Sequence, residues 1–192
     1  MIKQPILLAS ASPRRKEILQ TAGIAFEICP SDADELCLDG MDIGAQVVEN
    51  ATRKARDVSA KHQGRVVLGA DTLVTADGKA LGKPKDRADA KRMLSFLSGR
   101  THEVMTGICI TDGKCTKSAL SVTRVTFRKL DDALIERYVA SGECDDKAGA
   151  YGIQQKGCML VERIEGDYFS VVGLPVCTVC QILEQFFGIF PD

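Results

Sequence analysis

Residues 6–16 read Ile-Leu-Leu-Ala-Ser-Ala-Ser-Pro-Arg-Arg-Lys, which predicts a short apolar strand, a turn and the start of a helix. Ser12 suits the N-cap position, and Pro13 suits the first helical position because its missing N–H is no loss there. We therefore expect a helix from residue 13 to about Thr21, with Gly23 as its C-terminal cap. This strand-to-helix unit, continued by further strands, predicts an α/β fold.

The first turn of this helix carries Arg14, Arg15 and Lys16. The N–H groups of a helix N-terminus already bear partial positive charge, so each cation there is disfavoured by roughly 0.3–1 kcal/mol. An anionic ligand would reverse that effect, and phosphate matches backbone N–H groups, serine hydroxyls and guanidinium groups. The stretch therefore predicts a phosphate site, although a capped surface helix with solvated arginines explains the same residues.

The rest of the chain alternates strand and helix patterns. Strands are predicted at residues 26–29, 66–70, 73–75, 104–111, 116–127, 159–164 and 168–172. Helices are predicted at residues 42–61, 86–97, 131–141 and 175–187. Hairpin turns are expected at residues 77–78, 112–113 and 166–167, and the hairpin of residues 104–127 is expected at the sheet's centre. This order predicts a mixed sheet with flanking helices in one domain, residues 1–192, with two lobes around a central cleft.

Bulk composition excludes several classes of protein. The chain has 192 residues, 45% of them hydrophobic, and a formal net charge of −1. That charge argues against a nucleic-acid-binding protein, which needs a basic face. No run is long enough for a membrane span or a signal-peptide core, so we expect a cytoplasmic protein. The eight cysteines are expected to be reduced, and the Cys177–Cys180 pair lacks the second pair that a zinc site needs.

Asp71 is the first candidate catalytic residue. It follows the apolar run of residues 66–68, so we expect it at the end of a strand, where active sites of α/β sheets lie. A carboxylate there could hold a divalent cation or activate water. The alternative is a turn aspartate that only caps backbone N–H groups.

Other loops and helices supply polar groups of the kinds that such a site needs. Lys54 and Lys83 could each bind phosphate, although either could be a solvated surface lysine. Asp32, Asp34 and Glu35 form an acidic cluster suited to magnesium or manganese, and surface acidity explains it equally well.

Residues 145–154 predict a ligand-shaping loop, because two glycines allow close backbone approach. Gln154 offers an acceptor and two donors, which can pair with the imide N–H and carbonyl of uracil or thymine. A structural loop is the alternative. His102 is interpreted as a packing residue rather than a catalytic one.

Together these segments resemble the Maf family, over essentially the whole chain. The motifs that carry the resemblance are Leu8-Ala9-Ser10-Ala11-Ser12-Pro13-Arg14-Arg15, Gly69-Ala70-Asp71-Thr72, Gly82-Lys83-Pro84, Ser98-Gly99-Arg100-Thr101-His102, Asp146-Lys147-Ala148-Gly149-Ala150-Tyr151-Gly152-Ile153-Gln154 and Val172-Gly173-Leu174-Pro175. The resemblance implies a Maf/ITPase-like mixed sheet and nucleoside triphosphate pyrophosphatase activity, with water attacking the α-phosphorus. It also implies a homodimer.

The resemblance also implies roles for individual residues. Asp71 would accept the proton of the attacking water, and Asp34 or Glu35 would join it at a magnesium or manganese ion. The residues implied around the triphosphate are Ser12, Arg14, Arg15, Lys54 and Lys83.

Within the family, Arg14, Thr72 and Gln154 match the subgroup that acts on dTTP and UTP. Gln155-Lys156 and Phe169-Ser170 depart from the commoner pattern, which leaves the range of nucleobases open. The alternative function is a non-catalytic, nucleotide-binding regulator of septum formation.

Overall fold

A computed structural model describes residues 4–36 and 41–191, and it confirms the α/β class. The strands of the described residues are β1 Ile6–Leu8, β2 Phe26–Ile28, β3 Val67–Ala76, β4 Lys79–Leu81, β5 Thr101–Thr111, β6 Thr116–Phe127 and β7 Val161–Glu165. The helices are α1 Pro13–Thr21, α2 Ile43–Lys61, α3 Arg87–Leu97, α4 Asp132–Ala140, α5 Tyr168–Val172 and α6 Val176–Ile182. Short 3-10 segments span Ala148–Ala150 and Gln155–Leu160, and a π-helical turn at Leu183–Phe187 continues α6.

The strands form one mixed sheet, as expected. Its order is β2-β1-β3-β5-β6-β7, and β4 pairs with β3 outside this path. Strand β1 runs parallel to β2 and β3, whereas β4 is antiparallel to β3 and β7 is antiparallel to β6. The hairpin of β5 and β6 therefore supplies one of the two central strands, β5, and β3 supplies the other.

The chain divides into two compact units. The first comprises Met1–Asp71, Thr106–Ser121 and Gly173–Asp192, and the second comprises Thr72–Met105 and Val122–Val172. In the first unit, Leu7, Ala51, Val67 and Cys109 belong to one buried cluster beneath α2. In the second, the buried cluster includes large side chains from α3, α4 and β6, among them Leu94, Phe127 and Tyr138.

Helices α2, α3 and α4 begin at the predicted positions, and each is capped by an aspartate. Asp42, Asp86 and Asp131 each accept a hydrogen bond from the backbone N–H three residues later, at 2.7–2.8 Å. These bonds satisfy N–H groups that have no partner inside the helix. The aspartates thus fix where α2, α3 and α4 begin.

Two glycines allow α2 to pack directly on the backbone of the sheet. A Cβ atom on Gly69 in β3 would lie 2.2 Å from the carbonyl oxygen of Ala51, and one on Gly107 in β5 would lie 2.5 Å from that of Val47. No side chain fits at either position, so the helix comes closer to the strands than a larger residue would allow.

The structure corrects the prediction for residues 66–75. Two strands with Asp71 at a strand end were expected, but β3 runs unbroken from Val67 to Ala76, and Asp71 lies inside it. Gly69 makes room for α2 within this continuous strand.

A second correction concerns residues 168–172, which form helix α5 rather than a strand. The Asp167 carboxylate accepts from the backbone N–H of Phe169 at 2.8 Å, and the Asp167 carbonyl accepts from the Ser170 hydroxyl at 2.8 Å. These local bonds favour a helical turn over a hairpin. Gly166-Asp167 is therefore a helix start and not the tip of a hairpin.

Candidate active site

Asp71 is a buried carboxylate that faces α2. Its side chain is 8% exposed, and it accepts hydrogen bonds from Asn50 at 3.1 Å and from Lys54 at 2.9 Å. Asn50 and Lys54 lie one turn apart on α2, and Gly69 and Asp71 lie two residues apart on β3, so each pair shares a face of its element. The close approach of α2 to β3 at Gly69 therefore brings the side chains of Asn50, Lys54 and Asp71 together.

Lys54 connects Asp71 to a second carboxylate. Its Nζ atom lies 2.6 Å from Oε1 of Glu35 and 2.9 Å from Oδ1 of Asp71. Glu35 is the more exposed partner, at 61%, whereas Lys54 is only 13% exposed. One ammonium group thus neutralises part of the charge of two acidic residues that the sequence assigned to a cation site.

Asn50 is the residue that the sequence interpretation missed. Its Oδ1 atom accepts from the backbone N–H of Leu36 at 2.8 Å, and its Nδ2 atom donates to the Leu36 carbonyl at 3.2 Å. The same Nδ2 atom donates to Asp71. The signal available in the sequence was an asparagine on the apolar side of an amphipathic helix, four residues before Lys54.

The acidic residues 32, 34 and 35 do not form a single cluster. Asp32 pairs with Lys61 at 3.0 Å, Asp34 lies exposed, and only Glu35 reaches Lys54. Asp57 holds the start of this loop, because it accepts from the Ser31 hydroxyl and the Asp32 N–H. These bonds and the one from Lys61 hold the pKa of Asp57 below its usual range.

At α1 the expected helix forms, but Ser12 does not cap it. The Ser12 side chain makes no capping hydrogen bond. Its N–H instead donates to the Ser10 hydroxyl at 3.3 Å, and Arg15 donates to that hydroxyl at 2.9 Å. The Ser10 hydroxyl therefore holds the Ser12 backbone and the Arg15 side chain, and Ser12 keeps an extended backbone before Pro13.

Arg15 is held in place on two sides. Its Nε atom donates to the Gly173 carbonyl at 2.9 Å, and its terminal nitrogen donates to Ser10. Burial lowers the pKa of the Arg15 guanidinium; the charge of Asp71 opposes this shift and the charge of Arg14 adds to it. Asp71 and Arg14 thus each lie close enough to Arg15 to act on it electrostatically.

Three predicted residues, Thr72, Lys83 and Gln154, belong to the second unit. Thr72 and Gln154 are half-buried, and Lys83 is exposed. The turn of Lys83 is tied to the Gln154 segment, because the N–H of Gly149 donates to the carbonyl of Gly82 at 3.0 Å.

His102 is buried among aromatic side chains. It is 2% exposed, and its ring packs edge-on against Phe127 and Tyr151. Its Nε2 atom lies 2.7 Å from the Tyr151 hydroxyl oxygen. Burial lowers the pKa of His102 to about 4.

Comparison with known proteins identifies the family. A family model described as Maf-like protein matches residues 5–186. The chain belongs to the Maf family. Its relatives in this family include proteins named dTTP/UTP pyrophosphatase from Bacillus mycoides strain KBAB4, Bacillus pumilus strain SAFR-032 and Geotalea uraniireducens strain Rf4.

These Maf relatives match over almost their entire length. The Bacillus mycoides protein is 49% identical over 94% of this chain and 95% of its own. The Bacillus pumilus protein is 46% identical over 97% and 98%, and the Geotalea protein is 49% identical over 95% of both chains.

Two carboxylates beside Lys54 are oxygen ligands of a kind suited to a hard divalent cation. The carboxylates of Glu35 and Asp71 both lie within hydrogen-bond distance of one cationic atom, and such oxygen donors are the kind that magnesium and manganese prefer. Within residues 4–36 and 41–191, no group of three or more histidine, cysteine or acidic residues is arranged to hold a metal ion. The residues fit a cation that keeps water and substrate oxygens among its ligands.

The seven described cysteines are free thiols; Cys109 and Cys144 are buried, whereas Cys158 and Cys177 are exposed. None of the helices in the described ranges is long and apolar enough to cross a membrane.

Proposed function

We propose that this protein hydrolyses dTTP and UTP to the nucleoside monophosphate and pyrophosphate. The observation that carries the proposal is the 46–49% identity to relatives named dTTP/UTP pyrophosphatase over nearly whole chains. The water oxygen bonds to the α-phosphorus, the bond from that phosphorus to the bridging oxygen breaks, and pyrophosphate leaves.

Asp71 is the proposed base that takes the proton of the water. Its burial and its two donors, Asn50 and Lys54, support this role because they hold the carboxylate in one orientation. A fixed carboxylate can keep a water molecule aligned with the phosphorus, which is where much of the benefit of general-base catalysis arises.

The proposed triphosphate ligands are Ser12, Arg14, Arg15, Lys54 and Lys83. The anchoring of Arg15 by Ser10 and Gly173 supports its role, because a guanidinium that is already positioned loses little freedom on binding. Cations near the start of α1 attract the phosphates and offset the negative charge that grows on the leaving group.

Glu35 and Asp71, together with Asp34, which precedes Glu35 in the sequence, are the proposed ligands of a magnesium or manganese ion. When bound, such an ion neutralises phosphate oxygens and lowers the pKa of its water ligands. The ammonium of Lys54 lies against both carboxylates, so cation binding and the orientation of Lys54 are expected to depend on each other.

Gln154 and Thr72 are the proposed residues for base recognition. The amide of Gln154 can donate to the O4 carbonyl of uracil or thymine and accept from the imide N–H. Both side chains are half-buried, which supports a role in contact with a ligand.

The test is pyrophosphate release from a panel of purified nucleoside triphosphates with magnesium or manganese. The proposal predicts release from dTTP and UTP that exceeds release from the purine nucleotides. If dTTP and UTP stabilise the fold but no triphosphate is hydrolysed, the protein is instead a nucleotide-binding regulator, as in the septum-formation alternative.

The homodimer implied by the Maf resemblance and the cytoplasmic location expected from the sequence both form part of this proposal. Light scattering coupled to gel filtration tests the first, and a mass of twice 20.8 kDa is the expected result. Fractionation of cells that express the protein tests the second.

A further inference from the structure

Residues 148–157, called here the Gln154 loop, are held in place by two buried tyrosine hydroxyls. The hydroxyl of Tyr151, within the loop, lies 2.7 Å from Nε2 of His102 on β5. The hydroxyl of Tyr138 on α4 accepts a hydrogen bond from the N–H of Gly152 at 3.1 Å. Two neighbouring loop residues are therefore fixed by two different elements.

The loop backbone is also strained on both sides of Gln154. Ala150 has a φ of 59° and Gln155 a φ of 51°, in the left-handed region that residues other than glycine rarely adopt. Such conformations persist where surrounding contacts enforce them, and they concentrate at ligand-binding segments. The contacts of Tyr151 and Gly152 lie between these two positions.

The loop closes tightly on itself around Gln154. A Cβ atom on Gly157 would lie 1.7 Å from the carbonyl oxygen of Gly152 and 3.0 Å from the hydroxyl oxygen of Tyr138. Only glycine fits at such a crossing. Gln154 thus lies near the middle of residues 152–157, whose two ends meet beside the Tyr138 hydroxyl.

Among the residues that the structure describes, the His102 ring makes one hydrogen bond, and that bond leads to this loop. Its ring is buried, and Nδ1 has no hydrogen-bond partner among the described residues. An imidazole with one unsatisfied ring nitrogen costs more free energy to bury than an apolar side chain of similar size, because the apolar side chain has no polar atom to desolvate. What the imidazole adds over an apolar residue is the directional bond to Tyr151.

We propose that His102 and Tyr151 are positioning residues that set pyrimidine selectivity by fixing where Gln154 is presented. The proposal rests on the proposed function, because it requires Gln154 to contact the base. Neither residue is assigned contact with substrate; both act through the loop backbone.

Fixed placement matters because a glutamine alone does not distinguish uracil from cytosine. Rotation about the last side-chain torsion exchanges the amide oxygen and nitrogen, so the same residue can pair with the imide edge of uracil or the amino edge of cytosine. Discrimination requires that the backbone hold the amide at one distance and angle. A loop released from Tyr151 and His102 can adjust to either base.

The experiment measures kcat and KM for UTP and CTP with the wild type and Tyr151→Phe, which removes only the hydroxyl. We expect the ratio of kcat/KM for UTP over CTP to fall about tenfold, through a higher KM for UTP with kcat little changed. Tyr138→Phe, which frees Gly152, is a second variant expected to act in the same direction.

Phe127→Leu is the matched control. Phe127 packs edge-on against both His102 and Tyr151, with ring centroids 4.9 and 4.7 Å away, but makes neither hydrogen bond. This substitution is expected to lower the melting temperature while the UTP to CTP ratio stays within about twofold of wild type. If Tyr151 has only a structural role, Tyr151→Phe will also lower the melting temperature and leave the UTP to CTP ratio unchanged. A fall in that ratio for Tyr151→Phe but not for Phe127→Leu therefore supports a positioning role.

Rescue at His102 completes the test. His102→Gln keeps a polar group within reach of the Tyr151 hydroxyl and is expected to retain selectivity, whereas His102→Leu is expected to behave like Tyr151→Phe. Two results would overturn this proposal but leave the proposed function standing. The first is that folded Tyr151→Phe and His102→Leu variants keep wild-type selectivity. The second is that both variants lose kcat equally for both nucleotides. A wild type inert toward every triphosphate would overturn the proposed function and this proposal with it.

Discussion

Lys54 donates hydrogen bonds to Asp71 at 2.9 Å and to Glu35 at 2.6 Å, so one ammonium group joins a carboxylate inside β3 to one on a loop. Lys54 and Asp71 are both nearly buried, and a carboxylate in such a place that loses its ion-pair partner is costly. The position of Asp71 therefore depends on Lys54, and the position of Lys54 depends on the approach of α2 to β3.

Replacing Lys54 by methionine tests this dependence. Lys54→Met keeps the length of the side chain but removes the charge, and we expect kcat for dTTP to fall about 100-fold, because the phosphates lose a cation and Asp71 loses a fixed orientation. Steady-state kinetics with pyrophosphate detection measures this loss.

Lys61→Met is the matched control. Lys61 lies on the same helix and also pairs with two carboxylates, those of Asp32 and Asp57, both at 3.0 Å, but it is half-exposed. Surface ion pairs contribute little, so kcat should stay within about twofold of wild type. Equal losses in the two variants would show that Lys54 has no special part in catalysis.

Asn50 gives a second prediction, because its amide bonds to Asp71 and to both backbone groups of Leu36. Asn50→Leu removes all three bonds, and we expect kcat to fall about tenfold with little change in KM. Thr52→Val, which removes a hydroxyl bond within the same helix, is the control and should leave kcat unchanged. An Asn50→Leu variant with wild-type kcat would show that Asp71 needs no support from this side.

Gly69 gives a prediction for stability. Gly69→Ala places a Cβ atom where the Ala51 carbonyl already lies, so α2 must move, and we expect the free energy of unfolding to fall by about 1–3 kcal/mol. Gly82→Ala, which meets no atom within 4 Å, should change stability by less than about 1 kcal/mol. Urea denaturation measures both, and equal stability in the two variants would contradict the close contact between α2 and β3.

His102 gives a prediction for pH. Burial lowers the pKa of His102 from 6.5 to about 4, so the unfolded chain binds a proton between these pH values that the folded chain does not. Stability therefore falls as the pH drops from 6.5 towards 4, by about 3 kcal/mol from this group. The difference between wild type and His102→Gln, measured by denaturation across this range, should show that slope. A difference that does not vary with pH would contradict the neutral, buried state of His102.

The sequence predicts much of this fold because its signals are local. The aspartates that cap α2, α3 and α4 and the turn at Asp77-Gly78 act within a few residues, and the structure confirms each of them. Resemblance to the Maf family added a candidate residue that no local pattern identified, Thr72.

The errors arose where a distant contact decides the structure. The strand of residues 66–70 was expected to end before Asp71, yet β3 continues through it, and Gly69 lies in β3 where the carbonyl of Ala51, eighteen residues earlier, takes the place of a side chain. Asn50 looked like one polar residue on an amphipathic helix, and only the packing of α2 shows that its amide meets Asp71. Residues 168–172 read as a strand because the bonds from Asp167 that start α5 leave no periodic signal.

The central claim is that Asp71 activates the water that attacks the α-phosphorus. The most direct test is pyrophosphate release from dTTP by wild type and Asp71→Asn, with the melting temperature of each measured with and without the nucleotide. The account predicts that Asp71→Asn still folds and is stabilised by dTTP but loses at least about 100-fold in kcat. A folded Asp71→Asn variant that turns over dTTP at the wild-type rate would contradict it.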